Sequence, residues 1–321
     1  MTAARMSDPY YQDDLVTLHH GTAAAVAANL DPASVRTIVT SPPYFGLRDY
    51  GHEDQIGSEE TLEQFIENLV ATFRALRPAL TADGTLWLNL GDSYAGRANA
   101  GPAYTGNHQG FEKPSQVRPR RRTTDVAGHK NLLGVPWRVA FALQADGWIL
   151  RSDVVWAKAN PMPEPVSDRP TRAHEFIFLF AKSPKYFYDA DAIKEPDSGR
   201  PSGNGFTRPE QISKGGPGRD EGWMPGAGRN KRDVWTVAAQ PFPGAHFATY
   251  PPELIRPCIL AGSERGDIVL DPFSGSGTTG MVATQEGRRY IGIDVNSDYL
   301  DLSLRTRFAA PVLDLTGGEV A

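Results

Sequence analysis

The sequence contains a single cysteine, Cys258, among its 321 residues. One cysteine excludes an internal disulfide framework and any cysteine-rich zinc site, and it is typical of a reducing compartment. The sequence also lacks an apolar run near the roughly 20 residues that a membrane span requires. Its polar, acidic start lacks the basic and apolar stretches of a secretory signal. These absences predict a cytoplasmic protein with no membrane partner, and no residue pattern implies a metal.

Positive charge is also in short supply, because 38 acidic residues outnumber 33 basic ones and leave a net charge of -5. This balance argues weakly against a nucleic-acid partner, since DNA-binding proteins usually present a basic surface. Basic residues are nevertheless concentrated in two segments, from Arg118 to Arg122 and from Arg200 to Arg232. Such runs are equally typical of solvated loops, so charge alone leaves the partner open.

Strand and helix patterns alternate along most of the chain. Apolar residues recur at spacings of three and four from Thr61 to Leu80, which predicts an amphipathic helix. Short β-branched or apolar runs predict strands, and a proline or a glycine turn opens two further helices. This alternation predicts an α/β fold with a doubly wound, mostly parallel, Rossmann-like sheet. The predicted strands are 37–40, 85–90, 149–156, 175–180, 267–271 and 290–294, and the other helices are 136–145 and 278–287.

Glycines follow the strand predicted at 267–271, within the segment 271–280. Small residues after a strand let the backbone approach a ligand closely. Gly275, Gly277 and Gly280 fit the G-x-G-x-x-G pattern, and Asp294 ends the next predicted strand, where a ribose-binding acid is expected. A nicotinamide-dependent oxidoreductase is therefore one open interpretation. A phosphate-binding P-loop is excluded, because no lysine follows the glycines at the required place.

A rigid turn, Ser41-Pro42-Pro43-Tyr44, follows the first predicted strand. One reaction that such a turn suits is group transfer to an exocyclic amine of a nucleic-acid base. This amine is a poor nucleophile because its lone pair is delocalised into the ring, so a catalyst must hold the amine protons with hydrogen-bond acceptors. A serine hydroxyl and a carbonyl fixed by two prolines supply such acceptors, and the tyrosine ring supplies a surface for stacking. Proline-rich turns are common, so the turn is a weak signal alone. The carboxyl ends of strands in an open α/β sheet line one crevice, which would bring this turn to the glycines.

Taken together, these motifs resemble those of bacterial DNA amino-methyltransferases of the beta-ordered class, whose catalytic motif precedes the target-recognition region and whose cofactor motif comes last. The resemblance covers nearly the whole chain and includes residues 156–165, 173–179 and 246–254. It implies S-adenosylmethionine as cofactor and double-stranded DNA as partner, and it is compatible with a companion restriction endonuclease. Serine at the first position of the catalytic turn is commoner among cytosine-N4 enzymes and aspartate among adenine-N6 enzymes. We therefore expect methylation of cytosine N4, with adenine N6 as the alternative.

The resemblance also implies roles for individual residues. Asp294 would accept hydrogen bonds from the ribose hydroxyls, and the family order places target recognition, with the later arginines, before residue 246. The composition of the earlier segment, four arginines with little apolar anchoring, indicates instead that Arg118 to Arg122 contact phosphates without sequence preference. Where the family usually has Gly-Asp near the N-terminus, this chain has Gly21-Thr22, and Asp13 and Asp14 are candidates for the missing acid. The expected catalytic residues are Ser41, Pro42, Pro43 and Tyr44; the cofactor-binding residues are Asp271, Phe273, Ser274, Gly275, Ser276, Gly277, Thr278, Asp294, Asn296 and Thr249; and the DNA-binding residues are Arg118, Arg120, Arg121, Arg122, Arg208, Arg219, Arg229 and Arg232.

One domain with an insertion follows from this interpretation. Residues 1–184 form the catalytic part with a mobile basic loop at 94–130, residues 185–245 form the target-recognition insertion, and residues 246–321 form the cofactor-binding part of the same domain. Cys258 lies in a predicted apolar helix, so we expect a buried thiol and not the nucleophile of a cytosine-C5 enzyme. A DNA-binding module without catalytic activity is a further alternative.

Overall fold

A nine-stranded sheet runs through the part of the chain that the computed structural model describes, residues 8–46, 52, 54–95, 128–196, 228–240 and 250–308. The strands are β1 Tyr11–Gln12, β2 Val16–His20, β3 Val35–Thr40, β4 Leu80–Leu90, β5 Ile149–Lys158, β6 His174–Ala181, β7 Val234–Val237, β8 Ile268–Asp271 and β9 Arg289–Asp294. Their order in the sheet is β1-β2-β9-β8-β3-β4-β6-β5-β7.

The centre of the sheet is parallel. Strands β2, β9, β8, β3 and β4 are neighbours that run in one direction. Strand β6 is antiparallel to both β4 and β5, β7 is parallel to β5, and β1 is antiparallel to β2. The prediction of a mostly parallel sheet is therefore confirmed.

Helices cover both faces of the sheet. The helices are α1 Ala23–Ala27, α2 Leu62–Leu76, α3 Val135–Ala145, α4 Pro252–Gly262, α5 Thr278–Gln285 and α6 Ser297–Ser303. One hydrophobic core contains buried side chains of α1, α2 and α3, and the other contains those of α4, α5 and α6. A parallel sheet buried on both faces is the doubly wound arrangement that the alternating pattern predicts. In the described residues, no helix combines the length and apolar character needed to span a membrane.

Helix α2 is shorter than its apolar pattern predicts. It begins at a capping box in which Thr61 and Gln64 exchange hydrogen bonds, and it ends at Leu76. A 3₁₀ turn, Arg77–Ala79, follows and contains Pro78, a residue that lacks the N–H needed to continue an α-helix. The prediction of helix as far as Leu80 was therefore wrong, because Leu80 begins β4.

The described ends of the predicted insertion are joined to the rest of the chain. Residues 234–237 form β7 and pair with β5 in the main sheet. Glu195 and Arg229 exchange two backbone hydrogen bonds of 2.9 Å, so these two described residues are paired. Most of the loop predicted at 94–130, and most of the insertion, lie outside the described residues.

Candidate active site

A cleft of about 600 Å³ lies at the carboxyl edge of the parallel strands. The turn after β3 contributes Ser41 and Pro43 to its wall, and the turn after β8 contributes Phe273 and Gly275. Asp294, at the end of β9, also lines it. The two motifs that the sequence places far apart therefore face one cavity, as expected for strand ends in an open α/β sheet.

A buried carboxylate ties the two turns together beneath the cleft. Thr40 donates a hydrogen bond of 2.6 Å to Oδ1 of Asp271, and Thr279 donates one of 2.6 Å to Oδ2. Tyr250 and the Phe273 amide also donate to this carboxylate, at 3.2 and 3.0 Å. Burial raises the pKa of Asp271 despite these donors. Asp271 is not among the residues that line the cleft, so its geometry supports a role in holding both turns.

Asp294 has a different environment, because it reaches the cavity. Its Oδ2 accepts a hydrogen bond of 2.8 Å from the Gly275 amide, and its Oδ1 accepts one of 2.9 Å from the Asn296 amide. Burial raises the pKa of Asp294 to about 6, against the lowering effect of these two hydrogen bonds. The carboxylate is thus fixed by backbone donors at the wall of the cleft, where it can accept further hydrogen bonds from a ligand.

The glycine turn brings backbone to the cleft and starts α5. Gly275 and Gly277 have φ values of +50° and +76°, in the left-handed region that favours glycine. A Cβ on Gly277 would lie 2.8 Å from the Cβ of Ser303, which leaves no room for a side chain. Ser274, Ser276 and Thr278 are buried in the turn, and the Ser274 hydroxyl shares a 2.8 Å hydrogen bond with Tyr290. These three buried residues therefore stabilise the turn and do not line the cleft.

In the turn after β3, Pro42 is buried while Ser41 and Pro43 line the cleft. The Tyr44 hydroxyl donates a 2.6 Å hydrogen bond to Oε2 of Glu175, on β6, and lies 3.3 Å from Oδ1 of Asn89. Its ring lies against Gly91, where an added Cβ would come within 2.6 Å of the ring atom Cε2. The side chain of Tyr44 is thus held at both its ring edge and its hydroxyl.

Several predicted site residues have other roles or lie outside the described chain. The side chain of Asn296 caps α6 by accepting from the Asp298 amide at 2.9 Å. Both Arg229 and Arg232 donate through Nε to Oε2 of Glu195 at 3.0 Å. Those outside the described residues are Arg118, Arg120, Arg121, Arg122, Arg208, Arg219 and Thr249.

Sequence reasoning missed one wall of the cleft. The stretch before α2 and the first turns of that helix contribute polar side chains, which include Asp54, Glu59 and Asn68. Glu59 accepts a 3.0 Å hydrogen bond from the Asn68 side chain, so the wall is internally fixed. The available signal was a run of charged and polar residues without periodicity directly before a strongly amphipathic helix.

Thr22 stands at the position where an acid was expected, and it lines the cleft while capping α1. The suggestion that Asp13 replaces that acid was wrong. Asp13 accepts the amides of Leu15 and Val16, at the start of β2, whereas the cleft lies beyond the other end of that strand. Asp14 is likewise not among the cleft residues.

Cys258 is fully buried in α4, as predicted. Burial raises the pKa of its thiol well above the ordinary value, so a thiolate is not available for attack on a ring carbon. Among the described residues, no group of three or more histidine, cysteine or acidic side chains is arranged to hold a metal ion.

The chain resembles known proteins over most of its length. A family model described as DNA methylase matches residues 35–305. The type II methyltransferase M.XycI of Xanthomonas campestris pv. cyanopsidis is 49% identical over 89% of this chain and 86% of its own length. M.Cfr9I of Citrobacter freundii is 48% identical over 90% of this chain and 86% of its own length. M.SmaI of Serratia marcescens is 44% identical, with coverage of 88% and 87%.

Solved structures share the fold. PvuII DNA methyltransferase, described as cytosine-N4-specific, superposes with a TM-score of 0.62 at 17% identity over 92% of this chain and 87% of its own. A DNA modification methylase of Thermus thermophilus, described as putative and solved in complex with S-adenosyl-L-methionine, gives a TM-score of 0.56 at 24% identity, with coverage of 92% and 96%. At these identities the likeness concerns the arrangement of strands and helices.

Proposed function

The chain belongs to the DNA methylase family, whose model matches residues 35–305, and on that premise we propose that it methylates the N4 amine of cytosine in a specific DNA site. It is a type II DNA methyltransferase that uses S-adenosylmethionine. The observation that carries our proposal is the single cleft lined by both Ser41 and Asp294. A nicotinamide-dependent oxidoreductase and a DNA-binding module without catalytic activity do not agree with the family assignment.

The choice of cytosine rests on the catalytic turn. It begins with serine, the residue commoner among cytosine-N4 enzymes of the class that the sequence resembles. Adenine N6 is the second candidate, because enzymes of this family act on one or the other exocyclic amine. Methylation at cytosine C5 requires a thiolate nucleophile, and the buried Cys258 does not supply one.

The residues around the cleft fit the cofactor. Asp294 offers a fixed carboxylate for the two ribose hydroxyls, and Phe273 offers an apolar ring at the wall. The exposed backbone at Gly275 permits close approach of the ligand. When bound, S-adenosylmethionine would supply an electrophilic methyl group. The amine nitrogen would form the new bond to the methyl carbon as the carbon–sulfur bond breaks, S-adenosylhomocysteine would leave, and the amine would release one proton to solvent. Asp271 positions this wall relative to the catalytic turn by accepting from Thr40.

The catalytic turn acts on the amine of a base flipped out of the duplex. The Ser41 hydroxyl and the Pro42 carbonyl accept hydrogen bonds from the amine protons, which draws the nitrogen toward tetrahedral geometry and frees its lone pair. The Tyr44 ring stacks on the base and holds it in place. Most of the catalytic gain then comes from positioning, and no covalent intermediate between enzyme and base is required.

The test of this assignment is Ser41→Ala. We expect turnover to fall on the order of 100-fold, because a positioned proton acceptor contributes roughly that much. The dissociation constant for S-adenosylmethionine should change little, since the hydroxyl acts on the base. Steady-state methyl transfer to DNA measures the first quantity, and calorimetric titration measures the second.

Ser34→Ala is the matched control. Ser34 directly precedes the same strand at the opposite edge of the sheet, where its hydroxyl donates to the Asp31 carbonyl. Its loss should leave turnover at the wild-type level. Unchanged turnover in Ser41→Ala would remove Ser41 from the reaction.

A further inference from the structure

A short chain of hydrogen bonds runs from Tyr44, in the turn after β3, to a lysine on β5, the third strand from β3 in the sheet. The Tyr44 hydroxyl donates to Oε2 of Glu175 at 2.6 Å, and Nζ of Lys158 donates to Oε1 of the same carboxylate at 2.5 Å. Glu175 is the second residue of β6, and Lys158 is the last residue of β5. All three residues therefore lie at the edge of the sheet that carries the cleft.

The surroundings make these hydrogen bonds stronger than surface contacts. The side chains of Glu175 and Lys158 are 13% and 25% exposed, so water competes poorly for either partner. Nζ of Lys158 lies 4.8 Å from the centre of the Trp156 ring, which adds a cation–π contact. An ionised carboxylate as acceptor strengthens the bond from the tyrosine hydroxyl.

The ring of Tyr44 is consequently held at two ends. Its edge lies against Gly91, where a Cβ would approach to 2.6 Å, and its hydroxyl is anchored on Glu175. Asn89 supports the same hydroxyl at 3.3 Å, while its own amide donates to the Phe176 carbonyl at 3.1 Å. Rotation of the ring out of this orientation would break a short hydrogen bond to a charged group.

We propose that Glu175 and Lys158 are positioning residues for methyl transfer, which hold the Tyr44 ring in the orientation that receives the flipped base. This inference rests on the proposed function, in which Tyr44 supplies the stacking surface. A ring fixed before the base arrives loses no torsional freedom when the base stacks, so the amine reaches its reactive position more often. Lys158 acts one step further away, because it holds the carboxylate that holds the hydroxyl.

Variants that remove one hydrogen bond at a time test the network. Tyr44→Phe keeps the ring and removes the anchor, Glu175→Ala removes the acceptor, and Lys158→Met removes the support. We expect Tyr44→Phe and Glu175→Ala each to lower turnover about ten-fold, the effect of losing one charge-assisted hydrogen bond in the reactive complex. The double variant should be no slower than the slower single variant, because both changes remove the same interaction.

Two further readouts separate positioning from general structural support. Fluorescence of 2-aminopurine, placed at the target position of a duplex that the wild-type chain methylates, reports the flipped population, and it should fall in these variants. The dissociation constant for S-adenosylmethionine should stay within about two-fold of the wild-type value, because none of the three residues is among those that line the cleft with Asp294. Glu175→Gln should recover part of the lost turnover, since its amide oxygen still accepts from Tyr44.

Arg74→Met is the control for loss of an ion pair. Arg74, on α2, donates to Asp146 directly after α3, and neither residue lines the cleft. Turnover and base flipping should match the wild type in this variant. Tyr44→Phe is the variant least able to disturb folding, so it keeps the test decisive if Glu175→Ala is unstable.

The outcomes distinguish this inference from the proposed function. If Tyr44→Ala abolishes turnover while Tyr44→Phe and Glu175→Ala remain fully active, the positioning network is refuted and the stacking role stands. If Tyr44→Ala is itself fully active, the stacking assignment fails and the network fails with it. If Lys158→Met changes only the salt dependence of DNA binding, Lys158 is a phosphate contact and not a positioning residue.

Discussion

Two aspartates that end neighbouring strands differ in how their carboxylates are used. Asp271 accepts from four donors of the chain itself and does not line the cleft, whereas Asp294 accepts from two backbone amides and does. Both have a raised pKa because both are buried. Only Asp294 combines burial with access to the cavity, which makes it the candidate for the ribose contact.

Asp294→Ala should raise the dissociation constant for S-adenosylmethionine roughly ten- to a hundred-fold, since a hydrogen bond to a charged group is worth about 1.5–3 kcal/mol. Calorimetric titration of the purified variant measures this change. Asp31→Ala, an exposed aspartate ahead of β3, is the control and should bind like the wild type. Equal affinities in Asp294→Ala and the wild type would exclude Asp294 from the cofactor site.

The raised pKa of Asp294 also predicts a pH dependence of cofactor affinity. The pKa of Asp294 is raised to about 6, chiefly by burial and in smaller part by Asp271, against the lowering effects of its two backbone hydrogen bonds and of His20. The carboxyl group is therefore protonated below that pH. A neutral carboxyl is a weaker acceptor for ribose hydroxyls, and affinity should therefore fall as the pH drops through that value. In Asp294→Asn this fall in affinity with decreasing pH should disappear. A fall of the same size in that variant would show that another group is responsible for the pH dependence.

At the scale of helices and strands, the βαβ unit at the cofactor turn could be predicted closely from the sequence. The predicted strand 267–271 is observed as Ile268–Asp271, and the predicted strand 290–294 as Arg289–Asp294. Glycine turns and buried β-branched runs are local signals, so they survive without tertiary information. The end of α2 was missed because the apolar spacing continues into β4, and only the position of Pro78 indicates the break.

Other elements depend on contacts that a single sequence does not display. The antiparallel insertion of β6 between β4 and β5 follows from tertiary pairing, and β7 is a four-residue strand in a region of turn-forming composition. The meeting of the turn after β3 and Asp294 at one cleft could be predicted because a motif marks each of them. Glu175 and Lys158 could not be assigned a role, because their significance lies in side-chain contacts with Tyr44.

Gly280 allows α5 to pack closely against the sheet. A Cβ at this position would lie 2.5 Å from the Tyr290 ring and 2.6 Å from Phe308. Gly280→Ala should therefore lower the free energy of unfolding by about 1–3 kcal/mol and weaken cofactor binding, because α5 and its preceding turn must move. Chemical denaturation and calorimetric titration measure the two effects.

Gly266→Ala is the control for that variant. Gly266 has a φ of +86° and no atom within 4 Å of an added Cβ, and it precedes β8 at the edge away from the cleft. In the Gly266→Ala variant the free energy of unfolding should fall by about 1–2 kcal/mol through backbone strain alone. The variant should bind the cofactor normally. Normal binding in both variants would show that the position of α5 does not govern the cofactor site.

A second prediction at this scale concerns the paired residues Glu195 and Arg229, within the segment proposed to recognise the target. Glu195 holds Arg229 and Arg232 at 3.0 Å and pairs with the Arg229 backbone, which joins the two ends of the intervening chain. Glu195→Ala should reduce discrimination between cognate and scrambled duplexes, because base readout requires side chains held in place. Affinities on both duplexes across a salt series measure it, with Asp191→Ala as control. Unchanged discrimination between the two duplexes would show that Glu195 supports only the local structure.

Across the whole molecule, residues that are far apart in the sequence line the same cleft. The catalytic turn at 41–44 and the cofactor turn after β8 meet because β3 and β8 are parallel neighbours in the sheet. The net charge of -5 is compatible with DNA binding only if basic residues are grouped, as the sequence groups them at 118–122 and 200–232. The proposed function thus assigns cofactor binding and base binding to the two turns, and contact with the duplex to the basic segments.

The identity of the methylated nucleoside tests the central claim most directly. The purified full-length chain would be incubated with deuterium-labelled S-adenosylmethionine and genomic DNA from a host without DNA methylation, and the DNA digested and analysed by mass spectrometry. We predict labelled N4-methyl-2′-deoxycytidine, present with the wild type and strongly reduced with Ser41→Ala. Labelled N6-methyl-2′-deoxyadenosine would contradict the choice of base, and labelled 5-methyl-2′-deoxycytidine would contradict the amine mechanism itself.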